Sequence, residues 1–241
     1  MSRFQQPPST AVFICEHVAS AEDPISRVYR DADGDWQFLC HRDHSEDGSQ
    51  PVVVSLGEVV AGDASLEELA EMHTHHYAER EAPGQPWSIV DETEQNIRDT
   101  IEEYGWYVAL IDDEGDGPGT RFAYSIGMVQ SLGHPEVLVI GQPVELMAYL
   151  INEIGERARD GAPCAVGEPI EGLLDDYNCV LKPVDRSHYD DYLGYGLAYT
   201  GTHDFPVLQL IWPDKEGVFP WEPGCHEALA ELQPQLDRPK G

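Results

Sequence analysis

The pentapeptide Ala82-Pro83-Gly84-Gln85-Pro86 constrains the fold more than any other stretch of this sequence. Two prolines fix φ and remove backbone donors, and the glycine between them frees φ, so neither a helix nor a strand ladder runs through. Periodic patterns stop before this point and restart after it. A chain of 241 residues is long enough for two domains that each bury a core. The sequence therefore predicts a small domain over 1–82, a linker over 83–90, a second domain over 91–235 and a tail over 236–241.

The first stretch reads as four strands and a helix. Ala11–Cys15 is a strand, and Ile25–Arg30 and Asp35–Leu39 flank the hairpin signal Asp31-Ala32-Asp33-Gly34. Pro51–Val60 reads as one long strand. Ser65-Leu66-Glu67-Glu68 has the form of a capping box and predicts a helix running toward Tyr77. In the second stretch, Asp91 or Thr93 caps a helix that Gly105 ends, with Ile97, Ile101 and Tyr104 as its apolar stripe. Strands are expected at Trp106–Ile111, Arg121–Ile126, Glu136–Ile140, Val180–Val184, Tyr192–Tyr199 and Phe205–Trp212. Val144, Met147, Leu150, Ile151 and Ile154 repeat at the helical period behind Pro143. Helix and strand do not alternate as regular βαβ units. The expected class is α+β: two small domains, each a mostly antiparallel sheet with one or two packed helices.

Charge narrows the partners. The chain has 45 Asp and Glu against 14 Lys and Arg, a net charge of −31, and both stretches share the excess. Such a surface repels phosphate backbones and anionic membranes, so free nucleic acid and membranes are not expected partners. A basic protein is the favoured partner, and its encounter would be accelerated by the field. No run approaches the roughly 20 apolar residues of a membrane-spanning helix, and Met1–Thr10 has no apolar core of a signal peptide. A cytoplasmic protein is expected, with the five scattered cysteines as reduced, buried thiols.

Several groups offer chemistry. Gly115-Asp116-Gly117-Pro118-Gly119 lacks the Lys and Ser/Thr of a phosphate loop and reads as a hairpin turn. His73 and His76, three apart on the expected helix, are candidate joint metal ligands, and Cys15-Glu16-His17 and Cys40-His41-Arg42-Asp43-His44 would have to converge on them. Solvated histidines are the plainer reading, and no cofactor is expected. In the second stretch His134, Glu136, His188 and Asp214 fall near strand ends, where folds place their sites. A histidine there would serve as base and a carboxylate as its orienter. Trp106, Tyr124, Ser125, Tyr192, Gln209, Trp212 and Trp221 are candidate binding residues around them.

Tyr104-Gly105-Trp106-x-Val108, Phe122-Ala123-Tyr124-Ser125-Ile126-Gly127, Gly133-His134-Pro135-Glu136, Tyr192-Leu193-Gly194, Phe205 through Asp214, and Gly217-x-Phe219-Pro220-Trp221 together resemble the bacterial domain of unknown function 4262. The resemblance spans roughly residues 91–235 and implies a bacterial, cytoplasmic protein without implying an activity. Ser125 stands where the family pattern has Thr, which keeps the hydroxyl. The first stretch, through Asp35-Trp36-Gln37-Phe38-Leu39-Cys40, Leu56-Gly57 and Asp63-x-Ser65-Leu66, is similar to a short uncharacterised bacterial domain associated with immunity proteins. The strand and helix order after Tyr124 also resembles flavin-reductase-like split barrels, which implies an antiparallel barrel; only Arg121 lies near to hold a flavin phosphate.

Two functions are expected from these features. One is a strongly acidic binding or immunity-like protein that captures a basic protein. The other is a small-molecule-binding domain or enzyme with a His/Glu/Asp pocket in the second stretch, in a metal or a flavin variant.

Overall fold

The computed structural model describes residues 3–44, 50–112 and 121–240. The chain forms two compact units, Met1–Asn96 and Ile97–Gly241. The glycine-rich turn at 115–119 lies outside the described residues.

The N-terminal unit contains β1 (Ala11–Ile14), α1 (Glu16–Ala19), β2 (Arg27–Arg30), β3 (Trp36–Leu39), β4 (Val52–Ser55), α2 (Leu56–Gly62), a 3-10 turn at Ala64–Leu69, β5 (His76–Glu79) and β6 (Ser88–Asp91). The strands form one sheet in the order β4-β1-β3-β2-β5-β6. Every pairing is antiparallel except β1 with β3, where Phe13 lies opposite Gln37 and Ile14 opposite Phe38. Burial alternates along β1 and β3, the mark of a sheet covered on one face. Val12, Val28, Trp36, Phe38 and Ala78 on that face pack against Leu56, Leu66 and Leu69. Asp31 builds the β2–β3 hairpin by accepting from the amides of Asp33 and Asp35 through its side chain.

Four expectations in this unit need correction. The strand from Pro51 stops at Ser55, because Ser55 and Glu58 form a complete capping box that starts α2. The box expected at Ser65 is not used: Asp63 caps instead, accepting from the Ser65 amide at 3.0 Å, and the turn it starts is 3-10 and ends at Leu69. His73 and His76 are therefore on no helix; His75 has φ 59° in the turn between them, and His76 opens β5. The residues read as a linker include most of β6, which pairs with β5.

The C-terminal unit is built on β7 (Tyr107–Asp112), β8 (Arg121–Ile126), α4 (Met128–Leu132), β9 (Glu136–Ile140), α5 (Val144–Arg159), β10 (Pro169–Ile170), β11 (Cys179–Pro183), α6 (Tyr189–Tyr192), α7 (Gly194–Thr200), β12 (Val207–Ile211) and α8 (Glu227–Leu232). A 3-10 turn at Arg186–His188 precedes α6, and α3 (Glu92–Tyr104) contains the division between the units. Of the two expected caps, Asp91 takes the role at its start, accepting from the amides of Thr93 and Glu94. The sheet order is β10-β11-β12-β9-β8-β7, with β9 and β12 its one parallel pair. This sheet is open, with β10 and β7 at its edges, where the split-barrel likeness implies a barrel. Both units are thus α+β with mixed, mostly antiparallel six-stranded sheets.

Strands β9 and β12 are buried at every position, as expected of strands covered on both faces. Val137, Val139, Leu208 and Leu210 pack with Met147, Leu150, Ile151 and Ile154 of α5. Leu138, Ile140, Tyr124 and Ile126 face the other way, with Ile97 and Ile101 of α3 and with Tyr189, Leu193 and Phe205. Residues 192–199, expected as a strand, lie in α6 and α7. Leu193 and Leu197 sit one turn apart there, and a Cβ on Gly196 would stand 3.5 Å from the Tyr124 ring.

Gly155 shows how close this packing is. A Cβ there would meet the Trp106 ring at 2.7 Å and the Met128 methyl at 2.9 Å. Gly155→Ala is expected to cost about 1–3 kcal/mol by overpacking, of which a helix-propensity gain of ~1 kcal/mol offsets only part. Urea unfolding followed by tryptophan fluorescence measures it, and a stabilised variant would contradict the packing described.

Candidate functional site

Glu136 begins the central strand β9 and is 5 % exposed. Its Oε1 accepts from the backbone amides of Gly127 at 3.0 Å and Val129 at 3.1 Å, at the start of α4. Its Oε2 accepts from the Ser125 hydroxyl at 2.5 Å, and Ser125 Oγ in turn accepts from the Val137 amide at 2.9 Å. Gly127 can open α4 because its φ is 106°, a left-handed conformation, and a Cβ would collide with Ile101 at 2.9 Å. Burial pushes the Glu136 carboxyl above its ordinary value, with the Ser125 and amide hydrogen bonds pulling against it. This is a buried polar network that joins β8, α4 and β9, and each of its polar atoms has a partner inside the protein.

The other three candidate acid–base residues have separate employments. His134 is buried, with Nδ1 2.7 Å from the Pro135 carbonyl oxygen. His188 places Nε2 2.8 Å from the carbonyl oxygen of Arg238. Asp214 accepts from the amides of Glu216, Val218 and His226, and these hold its carboxyl below the usual range, the Val218 bond most strongly. Among the described residues, no hydrogen bond joins any two of His134, Glu136, His188 and Asp214.

The binding candidates mostly hold the sheet and the chain's last segment together. Trp106 donates from Nε1 to Asn152 at 2.9 Å and lies under the Arg159 guanidinium at 4.4 Å. The Tyr124 hydroxyl accepts from the Tyr195 amide at 3.0 Å, and burial pushes it up to about 12. Tyr192 meets Phe122 edge-on at 5.1 Å. Gln209 donates to the Pro234 carbonyl and accepts from the Leu236 amide, while Gln233 bonds the backbone of Trp212 in both directions. Trp221 stacks on Phe219 at 4.7 Å with the Lys182 ammonium 3.8 Å from its ring centre. The residues read as a tail are held too: Leu236 is buried and Asp237 pairs with Lys182 at 3.1 Å.

The C-terminal unit carries a groove at the carboxyl ends of β9 and β12. Parallel neighbours deliver the segments after them to the same end of a sheet. Gln142 follows β9, and Trp212 through Glu216 follow β12; Leu174–Tyr177, His226 at the start of α8, and Leu229 and Leu232 on α8 complete a cavity of about 730 Å³. That volume lies within the usual range of ligand clefts. Its floor is apolar (Leu174, Trp212, Pro213, Leu229, Leu232), and Asp175, Asp176, Asp214 and Glu216 stand around it beside Lys215. Of the expected site residues only Asp214 and Trp212 line it. Asp175, Asp176 and His226 were not expected; the adjacent acids Asp175-Asp176 were the sequence signal available for them.

A family described as Domain of unknown function (DUF4262) matches residues 100–226, more than half of the chain. The chain belongs to this family. No curated protein and no solved structure matches it. The DUF4262 match includes the Ser125–Glu136 network, Asp214 and the groove up to His226, and α8 completes the groove just beyond it. No helix of the described residues is long and apolar enough to cross a membrane.

Outside the DUF4262 match, the N-terminal unit gathers a second group of side chains. Cys15, His17, Cys40 and His44 each place a ligand atom within 4.8 Å of the others. They do not converge on His73 and His76, whose rings pair with each other at 5.8 Å while His76 also approaches Asp91 at 3.8 Å. The parallel β1–β3 pairing explains the gathering. Cys15 directly follows β1 and Cys40 directly follows β3, so both emerge at one end of the sheet.

Proposed function

We propose that this chain is an acidic, immunity-like binding protein that captures a basic protein partner, and that the DUF4262 groove is where it does so. The observation that carries this reading is the composition of the groove: an apolar floor ringed by four carboxylates and one lysine. Such a site suits a lysine or arginine side chain, whose aliphatic stem lies on apolar surface while its charged head meets the acids. The net charge of −31 supplies long-range attraction for the same kind of partner. The alternative, a small-molecule site or enzyme using His134, Glu136, His188 and Asp214, needs these four to share a pocket, and only Asp214 reaches the groove.

Titration of the full chain with a synthetic peptide of alternating lysine and leucine tests the proposal. Affinity is expected to fall steeply with added salt. Asp175→Lys together with Asp176→Lys is expected to weaken binding by about tenfold, since exposed pairs contribute ~0.2–1 kcal/mol each and the reversal adds repulsion. A control with the same charge change on the N-terminal unit, Glu71→Lys with Glu81→Lys, is expected to change it far less. Equal weakening by both pairs would show that only the diffuse charge matters and would remove the groove as the docking place.

A further inference from the structure

We propose that Cys15, His17, Cys40 and His44 bind one zinc ion as a closed structural site at the end of the N-terminal sheet. This is independent of the groove and of the partner it takes.

The donor set comes first. Two thiols and two imidazoles are the soft and borderline ligands that zinc selects, and a Cys2His2 set gives four ligands with no open position. The geometry agrees. All four ligand atoms lie within 4.8 Å of one another. Cys40 Sγ is 3.5 Å from His44 Nε2 and 3.9 Å from His17 Nδ1. A tetrahedral ion with Zn–S of about 2.3 Å and Zn–N of about 2.0 Å sets its sulfur and nitrogen ligands roughly 3.6 Å apart. The observed separations are close to that edge, so the side chains need only small adjustments to close on an ion.

The surroundings resemble a ligand shell more than a chance cluster. Cys15 and Cys40 are 3 % and 1 % exposed, so the sulfurs sit on the inner side and the imidazoles on the outer. The Arg42 side chain bonds Asp23 at 2.6 Å, which ties the segment after α1 to the segment after β3. The Cys15 amide donates to the Phe38 carbonyl at 3.4 Å, continuing the parallel pairing to the site itself. In sequence the ligands read Cys-x-His and Cys-x3-His, each pair starting where a strand ends. Held by an ion, these two segments would be fixed to the end of the sheet.

Elemental analysis of the full chain, purified without a histidine tag and without chelators, is expected to give one zinc per chain. Cys15→Ser and Cys40→Ser are each expected to abolish zinc retention, and Cys225→Ser, at a thiol outside the cluster, is expected to retain it. Should the serine variants fail to fold, the wild-type chain still decides the matter. Stripped of metal and titrated with cobalt chloride, it is expected to develop the visible bands of tetrahedral cobalt and a near-ultraviolet thiolate band, saturating at one equivalent. Thiol-blocked wild-type chain is expected to give neither. Chelation is expected to lower Tm by several degrees. A freshly prepared chain holding no zinc that also gives no tetrahedral cobalt spectrum would overturn the proposal, as would a Cys15–Cys40 disulfide in the reduced-lysate protein or unchanged zinc in Cys40→Ser.

Discussion

Glu136→Ala is expected to destabilise the C-terminal unit by about 3–5 kcal/mol, a large part of the stability of an ordinary domain. The substitution leaves the Gly127 amide and the Ser125 hydroxyl without their buried partner, and the Val129 amide without its partly buried one. Each buried donor left without a partner costs about 1–3 kcal/mol. Glu136→Gln keeps an oxygen for the two amides and is expected to cost about 1–2 kcal/mol, in the range of a single impaired hydrogen bond. Ser125→Thr retains the hydroxyl but adds a methyl group at a position 1 % exposed, and is expected to cost about 1–3 kcal/mol by overpacking. The pH profile adds a signature. Burial raises the Glu136 carboxyl above its ordinary 4.5. The folded unit therefore binds a proton more tightly than the unfolded chain, and this contribution is complete below 4.5 and is lost as pH rises through the folded value. The penalty of Glu136→Gln should accordingly be larger near pH 4 than at neutral pH. Urea unfolding across pH measures both effects, and a loss under 1 kcal/mol for the alanine variant would show that the network is dispensable.

Arg80→Leu is expected to cost the N-terminal unit about 3 kcal/mol, at the lower end of the range for breaking a buried ion pair, because Asp63 is partly exposed and rehydrates. The guanidinium is 1 % exposed. It donates twice to the Ile25 carbonyl, at 3.1 and 2.7 Å, and once to Ser65 at 2.7 Å; it pairs with Asp63 and lies 4.2 Å over the Trp87 ring. One side chain thus joins β5 to the start of β2, the 3-10 turn and the segment before β6. Lysine cannot reproduce the fork or the stacking, so Arg80→Lys should fall between leucine and the parent. For Asp63, burial opposes ionisation, but the Ser65 and Arg80 hydrogen bonds outweigh it and hold the carboxyl below its ordinary 3.8. Its stabilisation is complete above 3.8 and is lost as pH falls through the lower folded value. Acid unfolding of this unit should lose that component in Arg80→Leu. Hydrogen exchange of the β2 and β5 amides locates the change, and unaltered protection there would contradict the role assigned to Arg80.

The elements legible in the sequence were those whose signal is local and unopposed. The all-apolar β9 and the 3.6-residue period of α5 could be satisfied in only one way, and the α+β class followed from their company. Where two local signals competed, packing decided. Ser55-Leu56-Gly57-Glu58 and Ser65-Leu66-Glu67-Glu68 have the same form, yet only the first caps a helix, because Asp63 takes the second position in order to meet Arg80. Tyr192–Tyr199 has the composition of a strand, but its leucines and Gly196 fit as helix against Tyr124. The Cys/His gathering was hidden for a different reason. The β2–β3 hairpin is visible in Asp31–Gly34, whereas the parallel alignment of β1 beside β3 is a long-range pairing with no local mark. The groove was missed likewise, since the acids that ring it come from a segment without periodic structure.

The parallel pairing of β9 with β12 has a consequence for the chain as it is made. Ile140 emerges from the ribosome long before Ile211, and at ~5–20 residues per second the interval is roughly 4–14 s. For that time β9, apolar along its whole length, has β8 on one side and nothing on the other. Such an edge invites intermolecular pairing. The residues that follow it carry Glu145, Glu153, Glu156 and Asp160, and the nascent chain as a whole repels its own copies. The abundance of carboxylates would then serve synthesis, by keeping half-made chains apart until the last central strand arrives.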